Sequence, residues 1–257
     1  MSLNTYLSAL ASSLVLSDSE KDKITTSIST IKNRLSLYFC NIEEKKVFGS
    51  YSRTTILPRK ADSSSDIDLM VVFSNPYGYK PQTFLNKLRD FVEHWYSSSE
   101  IYQSSPTIVL ELHHIKFELV PAYMIGSSYY IPNGPSEWMY TDPDGLADKM
   151  LAANASNGYK LKPVIRLLKH WNIQKNYRGL SSYQLESHLT SRLQYSYISC
   201  TSYLDYVKRA LTELRDIVMY PSRIDTALSH IQTAISYENM NCPYSSEQEI
   251  KKVFPEV

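Results

Sequence analysis

Glycine is scarce in this chain: there are seven among 257 residues, at positions 49, 78, 126, 134, 145, 158 and 179. No two of them lie within three residues of each other. This spacing excludes a G-x-G-x-x-G dinucleotide loop and a G-x-x-x-x-G-K-[ST] phosphate loop. If the protein binds phosphates, it must do so with a turn that uses a single glycine.

Cysteine is equally sparse, with Cys40, Cys200 and Cys242 far apart and odd in number. Their spacing matches no zinc motif, and a disulfide framework is not expected in a chain of this length. We therefore expect a reduced, cytoplasmic setting.

One sign of charge does not dominate, because 27 Lys and Arg residues face 26 Asp and Glu residues, for a net charge of +1. This balance argues against a protein that coats nucleic acid by bulk electrostatics, so we expect no requirement for a stable nucleic-acid complex. The charge is nevertheless unevenly placed. Residues 45–60 hold five basic residues and no acid, and residues 149–185 hold seven basic residues and no acid.

Long apolar runs are also missing, and none approaches the roughly 20 residues of a membrane span. The apolar run from Leu7 to Leu16 is not preceded by Lys or Arg, which a signal peptide would have. Leucines at 3, 7, 10 and 14 recur at helical spacing. The pattern indicates an amphipathic helix, and no membrane partner is expected.

The pattern predicts a mixed α/β first half and an all-helical second half, which is an α+β fold. An S-x-x-E capping box from Ser17 to Glu20 begins a helix, and a hairpin is predicted across His113 and His114. Predicted strands lie at 46–48, 66–73, 107–112 and 115–121. Predicted helices of the second half lie at 146–156, 161–176, 182–198, 201–219 and 222–237. We expect a loop over 126–145 and a loosely attached tail over the last fifteen residues.

Asp66 and Asp68 are the sharpest chemical feature. On a strand, positions two apart point to the same face, so two carboxylates project side by side. Adjacent like charges are unfavourable unless a cation lies between them, and Mg²⁺ prefers such oxygen ligands. A solvated edge strand could also carry this pattern. Glu118, flanked by apolar Phe117 and Leu119 on another predicted strand, provides a third carboxylate that suits a two-metal site.

Several motifs in order along residues 45–190 resemble a known family. The first group comprises Gly49-Ser50-Tyr51-Ser52-Arg53, Asp66-Ile67-Asp68-Leu69 and Glu118-Leu119-Val120-Pro121-Ala122. The second comprises Tyr130-Ile131-Pro132, Trp138 with Thr141-Asp142-Pro143, the run 161–172, and Ser182-Tyr183-Gln184-Leu185-Glu186. Together they resemble the CD-NTases, bacterial relatives of cyclic GMP–AMP synthase within the DNA polymerase beta nucleotidyltransferase superfamily.

The resemblance implies a nucleotidyltransferase lobe with a mixed sheet and helices, packed on a C-terminal helical lobe, with N-terminal helices bracing both. The implied domains are a catalytic lobe over 1–140 and a helical lobe over 141–257. Asp66, Asp68 and Glu118 would be the catalytic residues and the ligands of Mg²⁺ or Mn²⁺. The implied nucleotide-binding set is Gly49, Ser50, Arg166, Lys169, Ser182 and Tyr183.

In that set, Gly49 and Ser50 would hold the triphosphate at a helix N-terminus. Lys169 and Ser182 would contact outer phosphates, and Tyr183 would stack on a base, although it could equally be a core aromatic residue. Two positions depart from the family: Glu118 stands where Asp is usual, and Thr54 stands where Gly is common.

The predicted helix over 161–176 carries Lys162, Arg166 and Lys169 on one face. Such a stripe is commonly only solvated. Since no acid occurs between Asp148 and Glu186, an anion from outside this segment is the alternative partner.

The function implied by the resemblance is the joining of nucleoside triphosphates into a cyclic or short linear oligonucleotide second messenger, used in bacterial anti-phage (CBASS) signalling through a downstream effector. Two alternatives remain open: a nucleotidyltransferase that modifies RNA ends or a protein hydroxyl, and a degenerate nucleotide-binding regulatory module.

Overall fold

Two compact units make up the computed structural model, which describes residues 1–194 and 200–257. The helical unit contains Met1–Leu16, Thr54–Ser63 and Leu146–Val257, and the sheet unit contains Ser17–Arg53 and Ser64–Gly145. The division at 145/146 lies close to the predicted boundary at 140/141. It differs in that residues 1–16 and 54–63 belong with the later helices.

The sheet unit consists, in the described residues, of seven strands and three helices. Its elements are α2 (Asp18–Tyr38), β1 (Ile42–Phe48), α3 (Gly49–Ser52), β2 (Asp66–Phe73), α4 (Pro81–Trp95), β3 (Glu100–Ser104), β4 (Thr107–Glu111), β5 (Lys116–Ile125), β6 (Ser128–Asn133) and β7 (Glu137–Thr141). The strand order is β1-β2-β5-β4-β3, with β6 paired to the end of β5 and β7 to β6. Strands β2 and β5 are parallel, and the other pairs are antiparallel.

Alternation along β2 separates its core face from its polar face. Phe73 packs on Phe84 of α4, with ring centroids 5.0 Å apart, so the odd-numbered residues of β2 face this helix. Ile67 and Leu69 share that face and are fully buried. Asp66 and Asp68 therefore lie on the opposite face of the sheet.

The helical unit is built around α6, whose apolar face is fully buried. In the described residues its elements are α1 (Leu3–Ser13), α5 (Gly145–Ser156), α6 (Leu161–Gln174), α7 (Ser182–Arg192), α8 (Tyr203–Leu214), α9 (Pro221–Asn239) and α10 (Pro243–Val253). Leu7, Leu168, Leu211 and Ile231 are among the fully buried residues of this core. The helix predicted over 182–198 ends at Arg192, and its residues 195–198 lie outside the described part of the chain.

The loop predicted over 126–145 is wrong, because this segment forms the β6–β7 hairpin. Pro132 pairs in register with Trp138, and the Tyr130 ring stacks on Tyr123 at 5.3 Å. Prolines at 132, 135 and 143 suggested a loop, yet a hairpin beside the edge of a sheet accommodates proline. Strand β3 was also missed, since it is an exposed edge strand.

The loosely attached C-terminal tail is likewise wrong. Residues 243–253 form α10, and Ile250, Val253 and Phe254 are buried at helical spacing. The Tyr6 hydroxyl donates to the Phe254 carbonyl at 2.6 Å, which ties α1 to the chain end. None of the helices in residues 1–194 and 200–257 has the length and apolar character of a membrane span.

Candidate active site

Parallel pairing of β2 with β5 brings the three predicted acids together. Asp68 lies beside Glu118 in register, and Asp66 lies beside Lys116. Register partners on neighbouring strands point to the same face, and so do residues two apart on one strand. Asp66, Asp68 and Glu118, called here the carboxylate cluster, therefore share the sheet face opposite α4.

Lys116 is part of this group, and the sequence reading missed it. Its Nζ lies 3.2 Å from Asp66 Oδ2 and 2.9 Å from Glu118 Oε1. Burial alone would lower the pKa of this ammonium, but the hydrogen bond to Glu118 and the charges of Asp66 and Glu118 raise the pKa above its ordinary value. The signal was available, because Lys116 precedes Glu118 by two residues, the same spacing that relates Asp66 to Asp68.

Asp68 shows the electrostatic cost of the cluster. Burial, reinforced by the charges of Asp66 and Glu118, raises the pKa of its carboxyl from 3.8 to about 8, although Arg53 and Lys116 act in the opposite direction. Arg53 and Lys116 therefore do not outweigh the combined effect of burial and of the two neighbouring acids on this pKa. An additional positive charge at this place would favour the ionised form of Asp68.

Gly49 touches the cluster at closest range. A Cβ atom at this position would lie 1.7 Å from Asp68 Oδ2, and the backbone has φ of +73°. Both facts require glycine here. The short helix α3 begins at Gly49 and buries Ser50, so the single-glycine turn predicted to hold phosphates lies directly against a predicted metal ligand.

The residues present fit a hard divalent cation by donor chemistry and by charge, since carboxylate oxygens are the ligands that Mg²⁺ prefers. Within residues 1–194 and 200–257, no three His, Cys, Asp or Glu side chains are arranged to hold an ion as they stand. The Lys116 ammonium bridges two of the three acids. Asp66, Asp68 and Glu118 are the residues that would hold the ion.

The basic stripe of α6 has its partners within the helical unit. Lys169 Nζ donates to the Thr55 carbonyl at 3.1 Å and to Glu186 Oε1 at 2.9 Å. The Thr55 hydroxyl donates to the same carboxylate oxygen at 2.9 Å. Lys169 and Glu186 are 5% and 0% exposed, so this ammonium is not presented to solvent.

The other two members of the stripe contact the residue before Thr55. Arg166 Nη1 donates to the Thr54 carbonyl at 3.0 Å, and Lys162 Nζ to the Thr54 hydroxyl at 3.1 Å. Burial lowers the pKa of the Arg166 guanidinium. In the described residues the Arg166 Nε has no hydrogen-bond partner. Nucleotide contacts by Arg166 and Lys169 stay predictions.

Ser182 and Tyr183 lie at the start of α7. Ser181 caps this helix by accepting a hydrogen bond from the Gln184 N–H, in a capping box. Tyr183 is 64% exposed, which excludes its reading as a core aromatic residue. Its ring is available for stacking, and the roles of both residues in nucleotide binding stay predictions.

A family model described as "Second Messenger Oligonucleotide or Dinucleotide Synthetase domain" (SMODS) matches residues 1–154, more than half of the chain. The chain belongs to this family. The matched part of this SMODS chain contains the whole carboxylate cluster together with Lys116 and the Gly49 turn. The resemblance to CD-NTases that the motifs indicated is confirmed.

A probable cyclic nucleotide synthase of Bacillus cereus (strain VD146) is 28% identical over 179 residues. The match covers 54% of the SMODS chain and 53% of that relative, so the chain spans about half the length of the curated protein it matches.

Solved structures agree in fold. The CdnC protein of E. coli MS115-1, solved with ATP, matches with a TM-score of 0.74 at 14% identity, covering 98% of this chain and 97% of that one. The CD-NTase CdnG of Bradyrhizobium diazoefficiens, solved in complex with GTP, gives 0.73 at 11% identity, with coverages of 97% and 98%. The predicted α+β fold class is confirmed.

Proposed function

We propose that this SMODS chain is a metal-dependent nucleotidyltransferase that joins nucleoside triphosphates into a cyclic or short linear oligonucleotide second messenger. The observation that carries the proposal is the carboxylate cluster on one sheet face with Gly49 in contact with it. Family membership and the relative's name as a cyclic nucleotide synthase support the same reaction class.

Each group of residues in the sheet unit has its own role in the proposed reaction. Asp66, Asp68 and Glu118 bind Mg²⁺ or Mn²⁺, which when bound supplies charge neutralisation and activation of the attacking ribose hydroxyl. Gly49 and Ser50 hold the triphosphate through a backbone N–H and a hydroxyl. Held in this way, the α-phosphate of one nucleotide is oriented toward the hydroxyl of another, and pyrophosphate leaves.

The remaining predicted contacts belong to the helical unit. Tyr183 offers an exposed ring to a base, and Ser182 offers a hydroxyl beside it. Lys169 Nζ already donates to Thr55 and Glu186, whereas Arg166 donates to Thr54 through Nη1 and has no partner for Nε in the described residues. We place the enzyme in the cytoplasm, where nucleoside triphosphates are found, with its product acting on a downstream effector in anti-phage signalling.

The test is product analysis. The protein is incubated with labelled ATP, GTP, CTP and UTP and with Mg²⁺ or Mn²⁺, alone and with tRNA, and the products are identified by mass spectrometry. A small phosphatase-resistant product that disappears in Asp66→Ala supports the proposal. Labelled RNA or labelled protein would favour end modification instead. Nucleotide binding without pyrophosphate release would identify a regulatory module.

A further inference from the structure

Lys116 lies beside the carboxylate cluster and contacts two of its members. Its ammonium bridges Asp66 and Glu118, at 3.2 Å and 2.9 Å, and the side chain is only 13% exposed. A bridging lysine at this depth is held by both carboxylates. It neutralises part of the cluster in the protein without any ligand.

We propose that Lys116 is a built-in counter-ion of the carboxylate cluster, which a divalent cation must displace, so that this lysine sets the affinity of the site for free metal. The inference rests on the metal site of the proposed function and assigns a regulator to it.

Competition follows from distance and charge. A divalent ion bound to carboxylate oxygens lies about 2.0–2.1 Å from them for Mg²⁺. An ammonium already within 3.2 Å of the same oxygens would then lie within a few ångströms of the ion. Two cations so close repel strongly in a partly buried site. The ion and the Lys116 ammonium therefore compete for Asp66 Oδ2 and Glu118 Oε1.

The composition of the cluster explains why displacement is possible at all. Three acids share this sheet face, and Lys116 contacts one oxygen each of Asp66 and Glu118. A divalent ion brings two charges where Lys116 brings one. The site thus resists a free ion but still gains from one at sufficient concentration.

Direct metal binding without nucleotide tests the proposal. Mn²⁺ is titrated into the nucleotide-free protein, and free Mn²⁺ is followed by its electron paramagnetic resonance signal. We expect Lys116→Met to lower the Kd for Mn²⁺ at least tenfold, whereas Lys116→Arg keeps the charge and stays within threefold of the natural protein. Lys116→Gln serves as a second neutral variant if Lys116→Met does not fold, which circular dichroism establishes.

Lys46→Met is the matched control. Lys46 lies on β1 and pairs with Asp144, outside the cluster, with Nζ 2.5 Å from Oδ2. Its loss removes the same charge from the sheet unit and should leave the Kd unchanged. Asp66→Asn should abolish the binding that Lys116→Met strengthens, which assigns that binding to the cluster.

An unchanged or higher Kd in both neutral variants would overturn the proposal, and so would an equal gain in Lys46→Met. Absence of Mn²⁺ binding in the neutral variants would also overturn it. Failure of this proposal can be told from failure of the proposed function, because oligonucleotide synthesis is measured in a separate assay. The natural protein can synthesise oligonucleotides even if the titration shows that Lys116 does not compete with the metal.

Discussion

Lysine meets carboxylate in two very different ways in this molecule. In the helical unit, Lys169 and Glu186 form one fully buried pair, completed by Thr55. On the sheet face, Lys116 bridges two of three acids, and the third has its pKa raised to about 8. The first group is balanced in charge and closed to solvent. The second places three acids side by side, and Asp68 lies against the turn at Gly49.

The two groups contain the same residue types but differ in charge balance, and this difference indicates which group is structural and which binds a ligand. Removing one member of a balanced buried pair leaves an uncompensated buried charge, which lowers the stability of the fold. A cluster with surplus like charge is costly by itself and becomes favourable when a cation binds. Thus the contacts of Lys169 stabilise the helical unit, whereas those of Asp68 favour the binding of a cation.

The largest effect should come from removing the surplus acid. Asp68→Asn is expected to lower oligonucleotide synthesis at least about a thousandfold, since a metal ligand is lost. Stability to urea should be retained or raised, because the amide removes the cost of keeping this buried carboxyl protonated above its ordinary pKa. Steady-state product formation and urea unfolding check both halves. Asp90→Asn, on the exposed side of α4, is the control, and activity retained in Asp68→Asn would break the comparison.

Breaking the balanced pair should instead damage the fold. Glu186→Gln is expected to lower the free energy of unfolding by about 3–5 kcal/mol, because Lys169 stays charged in a buried place without its counter-charge. Equilibrium urea unfolding measures this. Glu247→Gln removes a surface partner of Lys251 and should cause little change. The double variant Lys169→Met/Glu186→Leu should recover much of the loss, and a single variant as stable as the natural protein would contradict a structural role.

The free energy of unfolding should fall as pH rises, because the pKa of Asp68 is raised in the folded protein. The ordinary pKa of the Asp68 carboxyl, which applies to the unfolded chain, is 3.8, while in the folded protein its pKa is about 8. Between these values the folded state holds a proton that the unfolded state has lost. The contribution of Asp68 to stability therefore falls as pH rises through this window, by at most about 1.4 kcal/mol per pH unit.

The measurement compares urea unfolding of the natural protein and of Asp68→Asn at pH 5, 6, 7 and 8 in the presence of EDTA. The difference between the two should grow in favour of the variant as pH rises. If the difference in unfolding free energy does not change with pH, the pKa of Asp68 is not raised in the folded protein. The contrast with the Lys169–Glu186 pair would then be wrong.

Much of the site could be predicted from local sequence. The strand period of two places Asp66 and Asp68 on the same face, and Glu118 is recognisable as an acid between two apolar core residues. The pairing of β2 with β5 in register is a tertiary fact. It adds Lys116 to the group and determines which acids it bridges.

The errors have the same physical origin. The β6–β7 hairpin depends on pairing with the end of β5, and α10 depends on packing against α9 and α1, so neither follows from its own composition. The basic stripe of α6 was visible, but its partners in segment 54–63 and at Glu186 are distant in sequence. The fold gives Lys169 a counter-charge in Glu186, and it gives Arg166 and Lys162 hydrogen-bond acceptors on Thr54.

The smallest expected effect is that of a substitution at Thr54, which tests whether Lys162 and Arg166 of the basic stripe have a structural role. Thr54 has φ of 60°, a left-handed conformation that is rare for a β-branched residue, and it is held there by Arg166 and Lys162. Thr54→Asn should raise the free energy of unfolding by about 0.5–1 kcal/mol, because Asn tolerates this conformation and retains a side-chain acceptor for Lys162. The control Thr25→Asn, exposed on helix α2, should not stabilise. If Lys162 and Arg166 mainly hold the backbone at position 54, nucleotide affinity in Thr54→Asn stays unchanged while resistance to urea rises. A fall in stability would mean that Thr54 is held by contacts which Asn cannot replace.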